Sequence, residues 1–471
     1  MPRVSLTVAL AAVASLAALL CAEGSARASG LYVTDRGVRP LGRGGAFVAG
    51  ADDLGAIWYN PAGIADAGTS ILVDASYLDY STDYTRQSQV VDANNTVRAY
   101  QSTPTHGSTP FLPIPTLAGS LVLDKARTLT LAAGIFAPYT AITSYPADAA
   151  SRYSLVSLNG SALVEGGLWL AYKPIEQIRI GAGFEFLAGS FSSSVAFNAN
   201  PADRLIAAPE DSKYDAFTQL NVGPIFAPSG SGGVTFVPEK HVRIGISGQL
   251  PYSIDAPATI KVRLPNAVEF DNASQVGTDA HVKFTLPAVF RAGIEVRPTD
   301  ALRIEATFVR EFWTTHHDIS LAPDNVTLVN VTGFPSPFKV GAISLPREFD
   351  NANSYRIGAE YTVKAGAHVL DLRAGFNYDE SAIPPAYLST LTVDMAKYTA
   401  ALGAGFHVNA HWRIDAVYAH VFMSDTTVSP AEAQVPRINP VKGNPTATEA
   451  INGGVYSARA DVFGLGVNYR F

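Results

Sequence analysis

From Leu370 to Asp379 the chain alternates apolar and polar residues without a break. Leu370, Leu372, Ala374, Phe376 and Tyr378 fall on one face of an extended strand, and Asp371, Arg373, Gly375, Asn377 and Asp379 on the other. The same pattern recurs over Ile178–Phe186, Val242–Ile246, Phe284–Ile294, Leu302–Phe308 and Tyr355–Tyr361. A soluble sandwich also alternates, but its outer face meets bulk water and carries mostly Lys, Thr and Ser. Here the polar face sets Arg against Glu or Asp and interleaves them with glycine. That suits a crowded, water-containing lumen lined by compensating charges, with the apolar face turned to lipid.

Composition narrows the choice further. The chain has 471 residues, 47% hydrophobic and 16% charged, against about 25% charged in an average soluble domain. Yet it holds one long apolar run, Val4 to Ala22, which follows Arg3 and precedes the small-x-small step Ala26-Arg27-Ala28. Residues 1–28 therefore read as a signal peptide cut after Ala28, which removes the single cysteine, Cys21. No second run of about 18 apolar residues follows, so no transmembrane helix is expected. An exported chain with neither helix nor disulfide is left with a large soluble β fold or a closed barrel. The net charge of −7 and the lack of a basic patch argue against a nucleic-acid partner.

Fourteen alternating segments can be laid out, from 70–86 to 457–471, with the sixth placed at 232–238. Six short connections alternate with seven long ones, the third long one at 198–231. Short turns at one end, long loops at the other and an even strand number define a bacterial outer-membrane barrel. Phe463, Leu465, Val467, Tyr469 and Phe471 alternate to the last residue, like the terminal strand by which the barrel-assembly machinery takes up its clients. Tyr77, Tyr80, Tyr361, Trp412 and Tyr469 sit near strand ends, where aromatic girdles belong. The expected fold is all-β: a 14-stranded antiparallel transmembrane β-barrel over 69–471, monomeric and surrounded by outer-membrane lipid. Residues 29–68 do not alternate and are too short for a core of their own. They are expected to fill the lumen as a plug.

That segment carries Gly42-Arg43-Gly44-Gly45-Ala46-Phe47, Asp52-Asp53 and Trp58-Tyr59-Asn60-Pro61-Ala62-Gly63. With these motifs the chain resembles the FadL family of outer-membrane transporters for long-chain fatty acids and other hydrophobic compounds, which includes the TodX-type channels for aromatic hydrocarbons. The resemblance implies an N-terminal hatch carrying Asn60-Pro61-Ala62 and a fourteen-stranded barrel. It also implies passive uptake of a hydrophobic small molecule, with long-chain fatty acids ahead of aromatic hydrocarbons or alkanes. Ligand would settle near the hatch start and leave sideways through a kink in the third strand. On that basis Leu31, Tyr32, Phe47, Ile57 and Trp58 are expected to contact the ligand. Arg356 or Arg373 would meet a carboxylate head, and Gly134 and Pro138 would interrupt the third strand. Asn60-Pro61 reads locally as a rigid helix stop that could also tie the hatch to lumen charges.

Other chemistry is poorly supported. Gly42-x-Gly44 follows no strand and lacks the lysine of a phosphate loop. His316-His317 would point to opposite faces of a strand, so neither a metal nor another cofactor is expected. No G-x-S-x-G elbow occurs, although His420 keeps a barrel lipase conceivable. An aqueous porin is the other rival, but it has no need of an apolar plug. The chain is expected to be a channel and not an enzyme.

Overall fold

The computed structural model describes residues 35–91, 96–111, 113–137, 142–200, 209–366, 368–438 and 450–471. The leader with its cut after Ala28, together with Leu31, Tyr32 and Pro138, lies outside these residues. Fourteen long strands form one antiparallel sheet. They are β1 (Ser70–Val91), β2 (Pro113–Val122), β3 (Leu129–Phe136), β4 (Ala162–Ile175), β5 (Ile178–Asn198) and β6 (Asp215–Glu239). Next come β7 (Val242–Gln249, resumed at Tyr252–Arg263), β8 (Asp279–Leu286, resumed at Val289–Val296) and β9 (Leu302–Glu311, extended by Asp318–Pro323). The last five are β10 (Ala352–Ala365), β11 (His368–Asp379), β12 (Lys397–His407), β13 (Trp412–Met423) and β14 (Gly454–Arg470). Each pairs with its neighbours in sequence, and β14 closes on β1 from Ser70↔Arg470 to Arg86↔Gly454. Closure leaves no edge strand, so the sheet's polar backbone is satisfied internally, as a bilayer demands.

The expected faces are the observed ones. On β11, Leu372 and Phe376 are exposed on the outside, while Asp371, Arg373, Asn377 and Asp379 are buried inside. Leu402 and Leu465 are the most exposed leucines among the described residues, at 65% and 67%. In water such a surface would be a liability, but in hydrocarbon it costs nothing.

Two expectations need correction. The sixth strand does not begin at 232 but at Asp215, which shortens the connection before it to 199–214. Gly223-Pro224 and Ala227-Pro228-Ser229-Gly230 look like loop in the sequence. In the sheet Ala227–Gly230 pair with β5, and Gly223-Pro224 fall in the bulge opposite Gly189 and Phe191, which absorbs them. Tyr80 is not a girdle residue: it is buried, faces the lumen, and donates its hydroxyl to the Val393 carbonyl. Trp412 and Tyr469 do form an exterior aromatic pair, with ring centroids 4.6 Å apart. The β7–β8 ladder skips a step where Pro251 and Pro287 stand opposite each other, because neither has an N–H to donate.

Inside the barrel lies the segment from Asp35 to Gly68. It contains α1 (Val38–Leu41), α2 (Ala56–Tyr59), a 3-10 turn (Pro61–Gly63) and α3 (Ile64–Ala67). Helices this short do not stand alone, and their order comes from the wall around them. Phe47, Val48, Leu54 and Ile64 are completely buried.

Candidate functional site

The bore is fitted to the hatch by glycines that face inward. An added Cβ at Gly375 or Gly358 would overlap the Arg43–Gly44 backbone, one at Gly181 the Pro61–Ala62 backbone, and one at Gly233 the Asn60 side chain. The glycines alternating with charge in the sequence are thus the places where hatch backbone touches wall.

Ion pairs complete the seat. Arg39 bonds Glu360 on β10 at 2.8 Å, and Asp52 bonds Arg303 on β9 at 2.8 Å. Asp53 bonds Arg413 on β13 at 2.8 Å, and Asp66 bonds Arg243 on β7 at 3.0 Å. Glu305 on β9 is the densest contact. Its Oε1 accepts from the Val48 and Ala49 N–H groups at 2.6 and 2.8 Å, and its Oε2 from Gly50 N–H at 2.9 Å and Arg43 Nη2 at 3.0 Å. Three successive amides around one carboxylate make an anion nest turned inside out: the wall supplies the anion and the hatch the nest.

Burial alone would raise the pKa of Asp52, but Arg303 and Arg39 outweigh it and hold the group well below the usual carboxylate range. Asp53 is lowered in the same way, burial being overcome by Arg39 and Arg413. A depressed folded value stabilises docking fully above the unfolded-chain value of 3.8, and the stabilisation is lost as pH falls below it. Ion conductance across planar bilayers should therefore stay low and flat from neutral pH to about 3.8, then rise under stronger acid. A rise that began near neutral pH would count against these two carboxylates as hatch anchors.

The Asn60-Pro61-Ala62 step serves mainly as a local cap. Asn60 Oδ1 accepts from Ala62 N–H at 3.1 Å, which starts the 3-10 turn, and Pro61 sits at its first position. Asn60 Nδ2 donates to the Val48 carbonyl at 2.9 Å and to Thr235 Oγ1 on β6 at 3.0 Å. Its partners are neutral, so the tie to lumen charges runs through Arg39, Arg43, Asp52, Asp53 and Asp66 instead. Arg43 and Asp52-Asp53 stand out in the sequence as motif residues, but their partners do not, because long-range pairing between charges leaves no local pattern.

Towards the long loops, above the hatch, lies a mostly apolar cavity of about 390 Å³, within the usual range for ligand pockets. Leu41 of the hatch, Leu78, Leu163, Phe191, Phe284 and Val462 contribute to its body. Asp379, Thr390, Asp394 and Lys397 form a polar end, where Asp35 also contributes. Burial pushes the Asp394 carboxyl up to about 6 against the pull of Lys397, whose Nζ is 2.8 Å away. The cavity also touches Pro113, Ala162 and Val164, which are exposed on the outer face of β2 and β4.

The expected ligand residues are not gathered here. Phe47, Ile57 and Trp58 do not line this cavity; Ile57 and Trp58 pack hatch to wall, and Phe47 packs among hatch side chains. Trp58 meets Phe136 edge-on at 5.2 Å and lies under the Arg291 guanidinium, and Phe47 is flanked by Arg39 and Arg43. Ile57 abuts the open side of Gly134. Arg373 is shared among Glu360, Asp415 and Asp371, and Arg356 between Asp35 and Asp379. Neither faces the cavity, because each is drawn to a carboxylate beside it in the wall. The cation that does line it, Lys397, opens β12 after a long loop, where the alternating pattern carries no sign of a site. Gly134 does not interrupt its strand either. It pairs with Ala118 on β2 and Gly167 on β4, since a glycine loses its side chain but keeps its N–H. Among the described residues, pairing of β3 with both neighbours ends at Phe136. It resumes higher up as the bridges Ser108↔Ser144, Ser144↔Ser157 and Ser157↔Ser194.

The histidines stay apart. His316 is buried with Nδ1 2.9 Å from the Thr285 carbonyl, while His317 is exposed beside Glu348. Among the described residues no group of three His, Cys, Asp or Glu could hold a metal ion.

A closed fourteen-stranded barrel, greasy outside, charged inside and stoppered by its own N-terminal segment, defines a plugged outer-membrane channel. Residues 19–471 match the family described as "Outer membrane protein transport protein (OMPP1/FadL/TodX)", and the chain belongs to that family. It is a multi-pass β-barrel protein of the bacterial outer membrane. Its fold is similar to the crystal structure of a Pseudomonas aeruginosa FadL homologue, with a TM-score of 0.71, 16% identity, and coverage of 94% of this chain and 100% of that one. It is also similar to the Pseudomonas putida toluene transporter TodX, with a TM-score of 0.63, 14% identity, and coverage of 93% and 99%. A stretch of 122 residues is 26% identical to a Neisseria meningitidis serogroup B protein, spanning 25% of this chain and 24% of that one.

Proposed function

We propose that the chain admits hydrophobic small molecules passively, through the cavity above the hatch and sideways out between β2 and β4. The observation that carries this reading is the cavity itself. It touches Leu163, which faces inward, and its neighbours Ala162 and Val164, which face outward, beside the level at which β3 stops pairing. A ligand leaving there enters hydrocarbon directly and never needs to be hydrated, so the hydrophobic effect favours the step.

The cargo is a hydrophobic compound without an ionised carboxylate, as toluene is for the similar transporter TodX. An ionised fatty acid needs a cation free to meet its head, and Lys397, Arg356 and Arg373 each face a carboxylate of this chain already. The barrel works as a monomer and is delivered to the membrane through its terminal strand, β14. Replacing Ala162 with tryptophan tests the lateral path. Uptake into proteoliposomes should fall at least about tenfold while ligand binding to the purified protein persists, the mark of a blocked exit from an intact site. Undiminished uptake would refute the exit between β2 and β4.

A further inference from the structure

The polar end of the cavity is unbalanced. Asp35 is paired with Arg356, and Asp394 with Lys397. Asp379 has a share in Arg356, whose Nη2 stands 3.6 Å from its Oδ1, beyond hydrogen-bond reach, and it lies within the electrostatic reach of Lys397, with no other ion pair among the described residues. Both Asp379 oxygens are buried and accept no hydrogen bond from the described residues, although the residue as a whole is 2% exposed and lines the cavity. Among the described residues three carboxylates, Asp35, Asp379 and Asp394, thus face two cations, Arg356 and Lys397, at this end of the cavity. A buried acceptor without a donor is costly, and a ligand that supplies the donor recovers that cost on binding. A ligand headed by a carboxylate would instead set one anion against another in a poorly solvated place.

Resting on the channel reading above, we infer that the cavity selects hydrophobic molecules whose polar end donates a hydrogen bond, such as an alcohol, a phenol or an amine, with Asp379 as the acceptor. The apolar body takes the hydrocarbon part, and Thr390 and Thr399, also in the lining, carry no charge. One cation stands nearby without an acidic partner among the described residues. Arg347 is buried and donates to Thr392 Oγ1 at 3.2 Å, but it does not itself line the cavity.

The test is equilibrium binding of decanol, decylamine and decanoate to the purified full-length mature protein in a non-ionic detergent, at about pH 8, where the carboxylate probe is ionised. Decanol and decylamine should bind at least about tenfold more tightly than decanoate, the difference expected for one hydrogen bond to a charged group. The two donor-headed probes separate the neutral from the cationic case. Asp379→Asn should weaken decylamine about tenfold, strengthen decanoate, and weaken decanol by about threefold, because the amide oxygen still accepts but without the charge. If decanoate binds as well as decanol to the unmodified protein, the inference is overturned while the channel reading stands, and Arg347 becomes the head-group candidate. That ranking needs no variant to fold. Unchanged affinities in Asp379→Asn would also overturn it, and if none of the three probes binds, the channel reading falls with it.

Discussion

Replacing Glu305 with alanine is expected to free the hatch from the bore. The carboxylate takes three consecutive backbone N–H groups, Val48, Ala49 and Gly50, and the Arg43 guanidinium, all buried. Its removal leaves those amides without acceptors, and Arg43 with Glu295 as its one remaining ion-pair partner among the described residues. Arg43 already has Nε and Nη1 without a hydrogen-bond partner, so it has little left to lose. Breaking one side of a buried charge pair costs about 3–5 kcal/mol, more than short helices can supply to hold themselves in place. Conductance in planar bilayers should rise, and residues 35–68 should become cleavable by added protease. Glu305→Gln, which keeps an acceptor but not the charge, should lie between the two. If Glu305→Ala conducts no more than the parent and its hatch resists protease, the hatch is held by something other than this contact.

Gly375→Val is expected to be nearly as damaging, for a steric reason. Valine suits a strand better than glycine, so β11 alone should gain from the change. Yet a Cβ at position 375 overlaps the Arg43–Gly44 peptide, and position 358 across the ladder faces the same backbone. That backbone cannot step aside easily, because Gly44 and Gly45 hold positive φ angles of 61° and 73° in a tight turn. Overpacking against backbone should cost about 3 kcal/mol, the upper part of the usual range. Thermal unfolding should shift down and conductance should rise. The same change at Gly341, which has nothing within 4 Å of an added Cβ, is the control and should be silent. The decisive comparison is in a barrel lacking residues 29–68. There Gly375→Val should be neutral or stabilising, and a loss that persisted would show that the glycine serves the sheet and not the hatch.

These two residues show where a linear reading runs out. The architecture was legible because a barrel in lipid leaves little freedom: each strand must send apolar residues out and polar ones in, so Leu372 and Arg373 declare their faces by position alone. The sixth strand was drawn too short because Gly223-Pro224 and the Pro228–Gly233 stretch obey local turn rules, and only pairing with β5 overrides them. Asn60-Pro61-Ala62 was visible, and its capping role follows from local chemistry. What could not be read was partnership. Arg356 and Arg373 looked like free lumen cations, but Asp35 stands against the first and Asp415 against the second. Which charge meets which depends on how the sheet's stagger rotates each strand around the bore.

Local residue chemistry was enough to specify a membrane cylinder with a stopper: the period of two and the non-alternating N-terminal block each admit few foldings in an apolar solvent. Closure of the barrel settled the rest. It brought Asp35 of the hatch to Asp379, Asp394 and Lys397 at one end of one cavity, more than 340 residues on, and seated the Arg43–Gly44 turn on Gly358 and Gly375. Such contacts lie far apart in sequence and obey no period, so they exist as a pattern only once β14 has paired with β1.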